Sequence, residues 1–347
     1  MEEKVSIEMM KKSDKPVYKD FFLKSDIVKQ WIENGDIHQS IRNNSPSPNS
    51  FCLKSKDTYR KEIPEVLIER FGIEDKDLFR AKYIQAISGD GQEWTRITTL
   101  HSSSLAALLC FYNVTSNHVL KMDKYTFTES FFEVKTHVFG ESESNMDVVL
   151  RGCDENGMNV VLFLECKFSE YLESSKCYNI SLAYKEYYDK LGLFEENAID
   201  NISFKEKNGK ISISPKDPRH APVYCGGIKQ MISHYIGVSK YAKNMENLGE
   251  HVAFKGNKDE KVILGEILFD FGMHIKSSKN KLKNYRQSYY KLATKINEEE
   301  QSTLFQMRPT IFTYQDIFNG DFIKEDNIRR FYQFFSKKHT CNIDTEN

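Results

Sequence analysis

The chain has 347 residues, enough for one large domain or two ordinary ones, so its core needs no disulfide or metal staple. Hydrophobic residues make up 39% and charged residues 29%, an ordinary globular balance, and no window approaches the roughly 20 apolar residues of a membrane span. Lys and Arg number 49 against 50 Asp and Glu, a net charge of −1, which excludes a whole-molecule field for nucleic acid and confines any such footprint to a local patch.

The N-terminal MEEKVSIEMMKKSDK is charged and has no apolar run of signal-peptide type. A helical region is expected around 17–34, then a loop at 43–50, NNSPSPNS. IPEVLIERF and LHSSSLAALLCFYNV read as helices, the second capped by a serine in 102–104. From about 125 the period changes: 131–139, 145–152 and 159–168 read as three successive strands, with DENG as the turn between the last two. A Tyr-rich helix near 177–191, a polar excursion FKEKNGKISISPKDPRHAP and a helix opened by Gly226-Gly227 follow. KVILGEILFDFG (261–272) reads as a buried strand, and amphipathic helices near 279–299 and 326–338 close the chain. The expected fold class is α/β, an α+β mixed sheet with helical additions. Seven cysteines, with no CxxC pair, read as scattered reduced thiols of a cytoplasmic protein.

The stretch VVLFLECKF (160–168) poses a question, because its apolar run ends in Glu165 and Lys167 on one face of the strand. A buried charge costs several kcal/mol, roughly, unless it is paired or binds something. A three-residue loop Glu155-Asn156-Gly157, with Gly157 left-handed, makes Asp154 face Met158 and Asp147 face Glu165. A two-residue loop would instead set Asp147 against Cys166, on the other face. In the first register Asp147, Glu165 and Lys167 converge. Two carboxylates with the backbone carbonyl of Cys166 form a hard oxygen set that suits Mg²⁺ or Mn²⁺, and Lys167 can orient or deprotonate a water or stabilise developing charge on phosphorus.

The acid-x-base triplet alone is weak. With 50 acids and 49 bases in 347 residues, about seven such triplets arise by chance, and Glu133-Val134-Lys135 is another. Its context carries the signal: it ends an apolar strand, across a hairpin from an aspartate. Asp147 followed by Glu165-Cys166-Lys167 resembles the PD-(D/E)xK nuclease superfamily, with Met146 where proline often stands. FFEV…NMDVVL…FLECKFSEY resembles a bacterial restriction-endonuclease-like group that carries a glutamate on the preceding strand, here Glu133, and another after the lysine, here Glu170. Gln230, on the helix after the core strands, matches a glutamine frequent in such nucleases. Tyr235 matches a Q-x-x-x-Y element poorly, its spacing being five, and FTYQDIF (312–318) resembles a recurring tail of the group. The likeness is clear over 130–235 and loose over 90–320.

The resemblance implies a restriction-endonuclease-like core at 91–320, a helical extension at 1–90 and a C-terminal helix and tail at 321–347. It implies divalent-metal-dependent phosphodiester hydrolysis, usually of DNA, with Asp147, Glu165 and the Cys166 carbonyl holding Mg²⁺ or Mn²⁺ and Lys167 positioning the water. Glu133 and Gln230 would join that site, and a homodimer would suit cleavage of both strands. Each has a plainer reading too: Glu133 as a strand-edge charge, Glu170, just past the strand, as merely exposed, and Gln230 as solvent-facing. By helical geometry Gln230 lies about 150° from the stripe of Ile228, Met231, Ile232 and Tyr235. His220 and His234 read as satisfied or exposed.

From Phe271 to Asn297 there is no acid, and the stretch carries Lys279, Lys281, Lys283, Arg286 and Lys291 with Tyr285, Tyr289 and Tyr290 interleaved. That composition suits a phosphate-tracking surface with stacking options, against the plainer reading of a solvated helix face. Arg329, Arg330, Lys337 and Lys338 form a second basic cluster. Two alternatives to the enzyme stand: a catalytically idle nucleic-acid-binding module of the same fold in a defence or mobile-element complex, and a solvated ion pair in an unrelated α+β protein.

Overall fold

A computed structural model describes residues 5–42, 45–55, 57–89, 93–173, 176–244, 248–249, 254–256, 259–300, 304–318 and 322–334. The chain opens with helices Ile7–Lys11 (α1), Pro16–Asp20 (α2) and Asp26–Asn34 (α3), strands His38–Arg42 (β1) and Ser45–Cys52 (β2), and helices Ile63–Phe71 (α4), Lys76–Ala86 (α5), Glu93–Arg96 (α6) and Ser103–Phe111 (α7). Four strands follow: Leu120–Met122 (β3), Tyr125–Phe139 (β4), Ser142–Asp154 (β5) and Asn159–Lys167 (β6). Next come Tyr178–Ser181 (β7), helix Lys185–Lys190 (α8), Ile202–Lys207 (β8), Lys210–Pro215 (β9), helix Cys225–Asn244 (α9) and Lys261–Leu268 (β10). Helix Ser278–Glu300 (α10), strands Phe305–Met307 (β11) and Phe312–Thr313 (β12), and helices Tyr314–Phe318 (α11) and Asp326–Tyr332 (α12) complete the order. As expected, α7 is serine-capped: the Ser102 side chain accepts the Leu105 N–H at 3.2 Å.

The central sheet is mixed, in the order β11-β10-β6-β5-β4-β3, with β12 also beside β10. Strands β3 to β6 form an antiparallel meander, while β10 runs parallel to β6. Both faces of β6 are covered: Phe163 meets Tyr241 of α9 on one, and α7 packs on the other. That explains why β6 reads as a continuous apolar run rather than an alternating one. The N-terminal helices join the same core. Phe21 sits edge-on to Phe269 at 5.0 Å, and Trp31 and Phe22 lie 5.6 Å and 5.2 Å from Phe331 of α12. Buried side chains from Val5 to Phe334 thus form one cluster.

Three stretches differ from the sequence expectation. The 177–191 segment is a short strand, a turn and the short helix α8, not one helix. The polar excursion is a hairpin: β8 and β9 pair around Asn208-Gly209, whose φ values of +53° and +70° suit a tight turn, β9 alternates buried with more open residues, and β7 pairs with β9. Residues 45–52 of the Ser/Pro-rich segment pair with β1, as an outer strand tolerates proline. At the C-terminus α12 stops at Tyr332, where Gln333 turns left-handed at φ +53°; residues 335–338 of the expected helix, with Lys337 and Lys338, lie outside the described residues.

The Gly226-Gly227 pair at the start of α9 lets aromatic rings approach. A Cβ on Gly227 would fall 1.9 Å from the Tyr285 hydroxyl oxygen. Glycine to alanine inside a helix ordinarily gains up to about 1 kcal/mol, but here the overlap dominates. We expect Gly227→Ala to lower unfolding stability by about 1–3 kcal/mol, the usual cost of overpacking. Urea unfolding with an unchanged m-value checks this, and a Gly227→Ala protein as stable as wild type would refute the close approach.

Candidate active site

The hairpin register is the one that joins the two acids. Val148 pairs with Leu164 and Cys153 with Asn159, and the Asp154 N–H donates to the Met158 carbonyl at 2.9 Å. Gly157 holds the left-handed turn position at φ +78°. Continuing this count sets Asp147 opposite Glu165.

Two more acids stand on the flanking strands β4 and β10. Between β4 and β5 the ladder pairs Phe132 with Val148 and Val134 with Met146, so the intervening step is Glu133 and Asp147. Glu133 is buried and sits at φ +50°, a conformation that costs a non-glycine residue about 1–3 kcal/mol. On the other side, Glu165 pairs directly with Glu266 of β10. Glu165 and Glu266 are thus direct neighbours toward the carboxyl ends of the parallel pair β6 and β10, while Glu133 and Asp147 fall where the β4–β5 ladder skips a pair and the β5–β6 ladder ends.

Glu165 is the hub. Its exposure is 2%, its Oε1 accepts from Lys167 Nζ, and its Oε2 lies 2.7 Å from His234 Nε2. Burial works to raise the Glu165 carboxyl, but Lys167 and His234 outweigh it and hold it at about 2. Burial likewise opposes the Lys167 ammonium, yet Glu165 and the neighbouring Tyr224, Asp147 and Glu170 keep it protonated well above the ordinary lysine range. Asp147 is half-buried, and its Oδ2 accepts the Cys166 N–H at 2.6 Å. Burial and then the charge of Glu165 push its carboxyl well above the usual range, against the pull of Lys167. The Cys166 thiol lies on the opposite face, with Tyr314 among its neighbours, and burial pushes it up. Glu170 turns back to accept the Phe168 N–H at 2.6 Å.

Sequence reasoning missed two members. His234 is 4% exposed and bridges Glu165 to Ser144, whose Oγ lies 2.5 Å from His234 Nδ1. Glu266 is fully buried, with Oε2 accepting from the Tyr285 hydroxyl at 2.8 Å and Oε1 lacking a partner among the described residues. Desolvation raises Glu266 from 4.5 to about 8. The signal for Glu266 was the one used for Glu165, a carboxylate inside an apolar strand, VILGEILF.

Helix α9 explains Gln230. Residues 230, 234, 237 and 241 recur on one helical face. Three of them meet the sheet: His234 at Glu165, Gly237 against Thr136, and Tyr241 against Phe163. Gln230, half-buried, stands on that face one turn before His234. Tyr235 points elsewhere, donating to Glu300 at 2.8 Å. His220 is exposed and lies 2.9 Å from Asp217.

The α10 surface is less open than its composition suggests. Tyr285 and Tyr289 are buried in the core and offer no stacking face, because the helix spends them on packing; Tyr290 is exposed. Lys281 donates to the Leu172 carbonyl, Arg286 lies 3.6 Å from Asp270, and Lys291 lies 2.9 Å from Asp200. Lys279 and Lys283 are exposed. In the second cluster Arg330 pairs with Asp26 of α3 at 2.9 Å. A groove of about 800 Å³ between α4 and α5 is lined by none of the expected site residues.

Among the described residues no group of three or more His, Cys, Asp and Glu side chains is gathered for a metal ion; the expected set has only two side-chain ligands, completed by a carbonyl. Its chemistry suits a hard divalent cation, because such a charge would offset both the burial and the neighbouring Glu165 charge that push the Asp147 carboxyl up. No helix among the described residues is long and apolar enough to cross a membrane. Comparison with protein-family models, with curated proteins and with solved structures found no match to this chain.

Proposed function

We propose that this protein is a divalent-metal-dependent phosphodiesterase acting on nucleic acid, most plainly a DNA endonuclease with a restriction-endonuclease-like core. The observation that carries this reading is the convergence of Asp147, Glu165 and Lys167 at the carboxyl end of the central strands, produced by a register that one slip would destroy. Asp147, Glu165 and the Cys166 carbonyl would hold Mg²⁺ or Mn²⁺, which when bound supplies Lewis-acid polarisation of the phosphate and a more acidic water. The chain's own residues do the rest. Lys167 stays protonated, so it serves as a charged donor that orients a water or a phosphate oxygen rather than as a base. Exclusion of bulk water around Glu165 and Lys167 strengthens that donor. Lys281 ties α10 to the Glu170–Leu172 turn just after Lys167, and the exposed Lys279 and Lys283 of the same helix would be the cations available to a phosphate backbone.

One observation favours a second reading. Both oxygens of Glu165 already have partners within the chain, as in a closed network of an idle nucleic-acid-binding module. The deciding experiment incubates supercoiled plasmid and single-stranded DNA with wild type or Asp147→Asn, with Mg²⁺, Mn²⁺ or EDTA. Metal-dependent cutting by wild type, lost in Asp147→Asn, is the expected result. Salt-sensitive DNA binding without cutting in any metal would establish the idle module instead.

A further inference from the structure

The geometry points to His234 as a positioning residue for Glu165, with Ser144 as the group that sets it; we propose that this three-residue chain, rather than Lys167 alone, fixes the carboxylate that would hold the metal. The proposal rests on the nuclease reading and deepens it. Ser144 of β5, His234 of α9 and Glu165 of β6 are 6%, 4% and 2% exposed, and their contacts are 2.5 Å and 2.7 Å. A hydroxyl donating to Nδ1 leaves the imidazole proton on Nε2, which then donates to Glu165 Oε2. The other oxygen, Oε1, takes the Lys167 ammonium. With donors on both oxygens the carboxylate plane is held. Without His234 the group can swing to chelate Lys167 with both oxygens, turning away from Asp147.

Helix packing alone does not call for this histidine. Gly237 already brings α9 against Thr136, and Tyr241 packs on Phe163 along the same face. An apolar residue one turn before Gly237 would fill this position without burying an imidazole. Ligating groups are commonly oriented by such outer hydrogen bonds, and losing one typically weakens metal binding 10–100-fold.

The test compares His234→Gln, whose amide nitrogen reaches where Nε2 stands, with His234→Asn, whose amide falls short, and with Ser144→Ala. Three readouts are taken: Mn²⁺ Kd without nucleic acid, melting temperature, and kcat and KM for DNA cleavage. Asn at 234 is expected to weaken Mn²⁺ about 10–100-fold and lower kcat with KM unchanged. Gln should restore both to within a few-fold, and Ser144→Ala should fall between. Equal Mn²⁺ affinity in wild type, the Asn variant and Ser144→Ala, whatever their melting temperatures, overturns the positioning role while leaving the nuclease reading intact. Wild type that neither binds Mn²⁺ nor cuts overturns both. Should the Asn variant fail to fold, Ser144→Ala decides: weakened Mn²⁺ binding supports the chain, and unchanged binding ends it.

Discussion

Lys167→Met is expected to lose metal-dependent cleavage by about 10²–10³-fold, the usual cost of removing one charged donor from an active site, and to lose stability as well. The two losses have different origins. Lys167 and Glu165 are paired inside the core at 5% and 2% exposure. Removing one partner strands the other, which costs about 3–5 kcal/mol. Glu165 would keep only His234, and the lysine that also offsets Asp147 and Glu266 would be gone. The double variant Glu165→Gln with Lys167→Met separates the effects. Replacing a buried pair by neutral groups of similar volume is often neutral or stabilising, so most of the lost stability should return while cleavage does not. Urea unfolding beside a plasmid-nicking assay reads both quantities. A Lys167→Met protein as stable as wild type would show that no buried pair exists, and one that still cuts would remove Lys167 from the mechanism.

The legible parts of this molecule were those governed by local rules. One glycine in a three-residue loop set the register of the β5–β6 hairpin, and through it the meeting of Asp147 and Glu165. The apolar run of β6 announced a strand covered on both faces. What stayed hidden depended on which element covers which. The stripe of Ile228, Met231, Ile232 and Tyr235 drew attention to one side of α9, whereas the side meeting the sheet carries Gln230, His234, Gly237 and Tyr241. A sheet with polar groups at its centre receives a polar helix face, so the hydrophobic stripe pointed away from the site. The tyrosines of α10 misled for the related reason that burial cannot be told from charge spacing: Tyr285 reaches inward to Glu266. The β8–β9 hairpin was missed although Asn-Gly between alternating strands is a strong turn signal, because its high charge read as a solvated excursion.

Glu266 supplies the second large effect, in the dependence of stability on pH. Its carboxyl is raised from 4.5 to about 8 in the folded protein, mainly by burial, while an unfolded chain titrates it near 4.5. Between those values the folded state holds a proton that the unfolded state has released. Stability therefore falls as pH rises through this window, by up to about 1.4 kcal/mol per unit for this one group, and levels off above about 8. The full contribution is no more than about 5 kcal/mol over the interval from 4.5 to about 8. Glu266→Gln keeps the shape of the protonated acid and an oxygen to accept the Tyr285 hydroxyl. It should match wild type near pH 5 and exceed it in stability at pH 8.5. Other groups titrate in the same range, so the quantity to plot is the difference between the two unfolding free energies against pH. A difference that is flat from pH 5 to 9 would mean that Glu266 ionises normally. A rising difference would mean that Glu266 is kept neutral beside Lys167, leaving the lysine's charge to Glu165 and Asp147.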